Sequence, residues 1–308
     1  MKWEKKGLIY CPDGSSKWAR HTVITPTPIL LNDVIRIYAG FRDDQGISRI
    51  GYIDVDIENP SKIRNVSKQP ILDIGQNGMF DDNGIILGDL SWHNDTLRMY
   101  YVGFQKVSKA KFLAYSGLAI SNDGGNTFAR YQKTPIIDRV ENALYIRAVH
   151  TVLRENGNYR VWYSVGNGWE TINGIPYPKY DIRYTESKDG INFSDSIGVH
   201  CIGVQDDEYR IGRPRVRKIK NGYEMRYTYD TLQKKYCTGY ALSTDGISWK
   251  RRDDLLDIKV SKSGWDSEMV CYPVILDTPK TQYMFYSGNG MGYTGVGYAE
   301  RANTTVKL

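Results

Sequence analysis

The sequence predicts an all-β fold, a five-bladed β-propeller of four-stranded blades, as one domain over residues 1–308, on three observations. A Ser-x-Asp-Gly turn leading to an aromatic strand start occurs three times, as SNDGGNTF (121–128), SKDGINF (187–193) and STDGISW (243–249). Around these turns a set of apolar strands recurs five times at roughly 50–65 residues, the period of a propeller blade. No long apolar stripe at helical spacing interrupts the pattern.

Each copy opens on an inner strand: TPTPILL, NGIILGDL, IRAVHTVL, GRPRVRK and CYPVILD. A second strand follows, as IRIYAGF (35–41), LRMYYVGF (97–104), YRVWYSVG (159–166), YEMRYTYD (223–230) and YMFYSGNG (283–290). The third strands are RIGYIDVD (49–56), SGLAIS, DIRYTES, TGYALS and TGVGYAER (294–301), and a fourth comes after the Asp-Gly turn. Gly accepts a positive φ in such a turn and Asp bonds the turn backbone, so Asp123, Asp189 and Asp245 are expected to be structural. One such meander cannot bury both faces alone, and ring packing buries them. The last copy has no fourth strand of its own. Residues 3–10 resemble 249–256 and 128–135, so they are predicted to supply it, closing the last blade and removing an unpaired edge.

Composition limits the function. The chain carries 41 Lys and Arg against 35 Asp and Glu, a net charge of +6, scattered along its length. No basic tail or patch points to nucleic acid, and no partner of that kind is expected. No apolar run reaches the ~20 residues of a membrane span, and MKWEKKGLIY lacks the apolar core of a signal peptide. A cytoplasmic location is expected. Cys11, Cys201, Cys237 and Cys271 form no C-x-x-C pair, so reduced thiols are expected and neither a metal nor a cofactor is signalled.

The segments leading into the inner strands carry the most chemistry. They hold His21; Phe80-Asp81-Asp82-Asn83; Tyr145, Arg147 and His150; Glu208, Tyr209, Arg210 and Arg213; and Trp265, Asp266, Glu268 and Tyr272. In a propeller these segments converge on one central funnel, and ionisable groups there are costly unless paired or used. Asp81 follows Phe80 as Asp266 follows Trp265, which marks both as structural caps and leaves Asp82 as the chemical carboxylate. Glu208 and Glu268 are placed at equivalent positions, with Arg210 and Arg213 close enough in sequence to hold a carboxylate ionised. Arg147 and Arg213 are expected to pair with funnel acids or to bind an anionic ligand group. Tyr272 offers a flat amphipathic face suited to a sugar ring.

The five repeats, the S-x-D-G-x-x-[FW] turns and the R-P-x-V and Y-P-x-I inner strands resemble the five-bladed propeller glycoside hydrolases of families 32, 43, 62, 68 and 130. The resemblance implies a carbohydrate-active enzyme with three carboxylates in the funnel, for which the candidates are Asp82, Glu208 and Glu268. It implies substrate contacts for His21, Arg147, His150, Arg210, Arg213 and Tyr272. The chain departs from the families: the Asn-Asp-Pro of the first blade is absent, and Arg20 and His21 stand where family 43 would place its Asp base. The substrate is expected to be a small molecule or an oligosaccharide, with arginines ready for an anionic group. Two alternatives stay open: an intracellular enzyme on a nucleotide-linked or phosphorylated sugar, phosphorolysis included, and a non-catalytic carbohydrate-binding propeller.

Overall fold

The computed structural model describes residues 2–303. It divides into two compact units, one of residues 1–73 and 256–308, the other of residues 74–255. The first unit begins with β1 (Glu4–Tyr10), followed by the meander β2 (His21–Leu31), β3 (Val34–Arg42), β4 (Ser48–Asp56) and β5 (Ile63–Val66). The second unit holds three meanders. They are β6 (Ile85–His93), β7 (Thr96–Gln105), β8 (Leu113–Ser121) and β9 (Ala129–Arg130); β10 (Ile146–Glu155), β11 (Asn158–Ile172), β12 (Ile175–Ser187) and β13 (Val199–Ile202); and β14 (Glu208–Ile219), β15 (Gly222–Thr231), β16 (Tyr236–Ser243) and β17 (Lys250–Arg251). The chain returns to the first unit with β18 (Cys271–Asp277), β19 (Thr281–Ser287) and β20 (Val296–Ala302).

All pairings within a meander are antiparallel, and a short parallel contact of β10 with β8 joins two meanders into one sheet. β1 pairs antiparallel with β20, from Glu4↔Glu300 to Tyr10↔Val296, so the N-terminal segment is the outer strand of the sheet β18–β19–β20–β1, as the sequence predicts. Trp3, 5% exposed, anchors it by donating its indole N–H to Asp257 Oδ2 at 2.7 Å.

A polar bolt recurs inside the meanders. In the second unit Phe80 stacks on Tyr101 with centroids 5.9 Å apart. The fully buried Asp81 accepts from the Tyr101 hydroxyl at 3.0 Å and from Arg130 of β9 at 2.7 Å. Gly117 makes room for this: a Cβ there would lie 2.4 Å from Tyr101 and 2.6 Å from Phe80. In the first unit Trp265 stacks on Tyr286 at 5.1 Å, and Asp266 accepts from Tyr286 at 2.9 Å and from Lys5 of β1 at 2.5 Å. Aromatic, acid, tyrosine and outer-strand cation thus repeat as a set.

The Ser-x-Asp-Gly turns are structural, as expected. Asp245 Oδ1 accepts the N–H groups of Ile247 and Ser248, and the Ser243 hydroxyl accepts from Gly246 at 2.8 Å. Two turns also latch neighbouring meanders of the second unit. Tyr100 donates to Gly190 O at 3.0 Å beside an Arg98 to Asp189 O bond, and Trp162 donates to Gly246 O at 2.7 Å beside an Arg160 to Asp245 O bond. The backbone N–H groups of Ile247 and Ser248 hold the Asp245 pKa down at about 2. A carboxylate with a depressed folded pKa stabilises above its unfolded value of ~3.9, and that contribution is lost as pH falls through the folded value. The urea midpoint should therefore drop between pH 4 and pH 2, and Asp245→Asn should lessen the drop. An equal drop in wild type and variant would remove Asp245 from the account.

Candidate functional site

The inner strands share one irregularity. In the second unit the ladder slips between Leu87 and Asp89 in β6, between Val149 and Thr151 in β10, and between Gly212 and Arg215 in β14. In the first unit it slips between Ile24 and Thr27 in β2 and between Cys271 and Val274 in β18. The bulges hold Gly88, His150 and Arg213 in one unit, and Thr25 and Tyr272 in the other. Pro26, Pro214 and Pro273 follow three of them, and a proline cannot donate to a ladder, so each proline stands where the ladder slips. Thr25, Arg213 and Tyr272 take φ values of 54°, 57° and 56°. A non-glycine residue in this left-handed region costs about 1–3 kcal/mol, and such strain clusters where a bulge aims a side chain at a ligand.

One polar group at the bulges, on Thr25, lacks a protein partner. The Thr25 hydroxyl is buried with no hydrogen bond among the described residues. His150 is 3% exposed. Burial first, then the charges of Arg213 and Arg215, holds its pKa well below the usual histidine range, so the imidazole is neutral. Asp89 sits beside the Gly88 bulge. Its carboxylate accepts from Val152 N at 2.7 Å and Leu90 N at 2.9 Å, and lies 3.5 Å from Arg215 Nη1, which also donates to His150 O at 3.0 Å. Burial pushes the Asp89 pKa up against the pull of Arg215. Asp89, Arg215 and the Thr151 hydroxyl, which donates to Pro214 O at 2.7 Å, tie β6, β10 and β14 together.

The sequence-derived candidates separate on this frame. His150 and Arg213 come together in the second unit, with Asp89 and Arg215 beside them. Asp82 is half-buried, and its Oδ2 accepts from Gly78 N at 2.9 Å in the turn before β6. Glu208 does not match Glu268. Its carboxylate is gripped by both Nη atoms of Arg251 at 2.8 Å, as Asp266 is gripped from its own outer strand, so Glu208 occupies the bolt position. The expected partnership of Arg210 with Glu208 is absent: Arg210 donates to Asp230 Oδ2 at 2.7 Å. Arg147 faces neither acid nor cavity. It is 2% exposed, and its Nη atoms donate to the carbonyls of Asp138 and Ser196 at 2.7 Å.

In the first unit, His21 Nδ1 lies 2.7 Å from the Thr22 hydroxyl, and its ring is 5.2 Å from that of Tyr293. Tyr272 is buried at its bulge. Glu268 is exposed, and its carboxylate has no partner among the described residues. The sequence reading missed Thr25, Asp89 and Arg215. The x-Pro step shared by three inner strands was the available signal for the bulges, and nothing in the sequence singled out Asp89.

The sheets and their order define an all-β fold shared with glycoside hydrolases of the propeller type. A structure described as a glycoside hydrolase superposes on 100% of this chain and 95% of its own with a TM-score of 0.74 at 17% identity. Another, a member of the family 130 mannoside phosphorylases described with glycoside hydrolases that target β-1,2-mannosidic linkages in Candida mannan, covers 99% and 95% with a TM-score of 0.71 at 14% identity. No family model matches the chain. The chain belongs to the family of the uncharacterized protein Rv1502 of Mycobacterium tuberculosis, to which it is 34% identical over 305 residues, 98% of this chain and 100% of that protein. No helix among the described residues is long and apolar enough to cross a membrane.

Proposed function

We propose that the chain is a carbohydrate-active enzyme of the glycosidase type, built as a five-bladed propeller, that cleaves or transfers a glycosidic bond. One observation carries the reading: every inner strand breaks its ladder at the same place, and the bulges hold polar side chains, of which the Thr25 hydroxyl is buried without a hydrogen bond among the described residues. Buried polar groups are normally satisfied, so this one awaits a polar ligand or water. The fold shared with glycoside hydrolases agrees with a sugar as that ligand. His150, Arg213 and Tyr272, with Thr25, are assigned to substrate binding. Asp82 and Glu268 are assigned to acid and base chemistry, because neither carboxylate is neutralised by a cation among the described residues. Each carboxylate suits one of the roles that glycosidic cleavage needs: protonating the leaving oxygen, activating water or attacking the anomeric carbon. Glu208, Arg147 and Arg210 are assigned to structure, since their charges are already matched by Arg251, by carbonyls and by Asp230.

One observation favours a second reading. Arg213, Arg215 and Asp89 give the bulge region of the second unit more cations than carboxylates. That excess suits a phosphate, borne by the sugar or acting as the attacking group.

The test is turnover on a panel of 4-nitrophenyl glycosides, with and without inorganic phosphate. Turnover is expected, and a requirement for phosphate selects phosphorolysis. Asp82→Asn and Glu268→Gln should each lower the rate at least tenfold, about 1.4 kcal/mol of barrier. Unchanged rates in both would exclude these acids, and a panel without turnover in either condition would favour a binding protein.

A further inference from the structure

A cleft opens within the second unit, lined by none of the inner-strand bulge residues. The β11–β12 ladder slips between Val165 and Gly168 and then runs on as a hairpin from Gly168↔Lys179 to Ile172↔Ile175. Beside this extension opens a cleft of about 830 Å³, within the size range of ligand sites. Three aromatic side chains line it, Trp169, Tyr180 and Tyr209. So do Asp181, Arg183 and His200.

The polar groups are fixed in place. Arg183 grips Asp181 through two bonds of 2.9 Å, and His200 Nε2 lies 3.6 Å from the other side of that pair, at Asp181 Oδ2. Tyr209 is held by its hydroxyl on Asp230 at 2.5 Å. Trp169 is set between Phe112 and Tyr145, both edge-on, with centroids 5.2 and 6.0 Å away. Its Nε1 is buried and has no acceptor among the described residues. A buried N–H without an acceptor is costly, and a small shift of the indole toward the cleft would let a ligand oxygen satisfy it.

We infer that this cleft is a second saccharide site, distinct from the inner-strand bulges, that holds a pyranose unit of a longer glycan. Aromatic planes match the C–H faces of a pyranose, and a hydroxyl or ring oxygen accepts from the indole N–H. The Asp181–Arg183 pair supplies an acceptor and donors for neighbouring hydroxyls. The volume leaves room for more than one ring, which suits part of a chain better than a free monosaccharide. None of the cleft residues belongs to the bulge row, so the inference concerns binding and stands apart from the assignment of turnover.

The test is native affinity electrophoresis of the full chain through gels containing soluble mannan, xylan, polygalacturonate or mixed-linkage β-glucan. Retardation is expected in at least one gel. Trp169→Ala should raise the apparent Kd for that polysaccharide at least fivefold at an unchanged melting temperature. Trp169→Phe keeps an aromatic plane but loses the N–H, so it should fall between the two, and it decides the matter if the alanine variant does not fold. Thr25→Gly should still be retarded through this cleft even where it loses turnover and whatever binding the bulges add. No retardation in any gel, or equal retardation of wild type and both Trp169 variants, overturns the second site while leaving the proposed enzymatic function to its own assay. Retardation lost in Thr25→Gly would place the glycan at the bulges instead.

Discussion

Asp81→Ala should lower the stability of the protein by about 3–5 kcal/mol, the usual cost of removing one partner of a buried ion pair. Asp81 is fully buried and accepts from Tyr101 and Arg130, whose side chain is 19% exposed. Its loss leaves a cation and a phenol facing an apolar pocket under Phe80. For a protein of this size the melting temperature should fall by roughly 10 °C. Asp82→Ala, one residue on, removes a turn bond to Gly78 N and should cost ~1 kcal/mol. The contrast between adjacent aspartates is the check, read by differential scanning calorimetry. Equal losses would mean that the bolt is not what holds the meander.

The same comparison explains what was legible in the sequence. Phe80-Asp81 and Trp265-Asp266 repeat as adjacent pairs, so their shared role as caps could be read before the structure. Their cations could not, because Arg130 and Lys5 lie on outer strands 49 and 261 residues away. The partner of Glu208 was hidden for the same reason. Its partner Arg251 is 43 residues off, and only the pairing of β16 with β17 brings it close. The order of strands and the N-terminal contribution to the last sheet were legible, because turn chemistry and alternation are local. The bulges were half legible: proline after Thr25, Arg213 and Tyr272 marks a break in the ladder, yet a positive φ is a property of the folded backbone. Arg147 misled because a buried arginine usually meets a carboxylate, and here carbonyls satisfy it instead.

Strain offers the second large effect. Thr25 is β-branched, sits at φ 54°, and buries a hydroxyl without a partner. Both features oppose folding, by about 1–3 kcal/mol for the backbone and a similar amount for the hydroxyl. Glycine removes both, at an entropic cost of roughly 0.5–1 kcal/mol. A residue kept only for structure has no reason to carry such a burden. If Thr25 is held there to meet a ligand, its replacement should improve the fold and harm the reaction.

Thr25→Gly, measured side by side for melting temperature and for turnover on the glycoside that wild type accepts, therefore tests the central claim most directly. The account predicts a melting temperature equal to or a few degrees above that of wild type, together with turnover at least tenfold lower. A lower melting temperature with turnover unchanged would contradict it, and would make the inner-strand bulges a feature of packing alone.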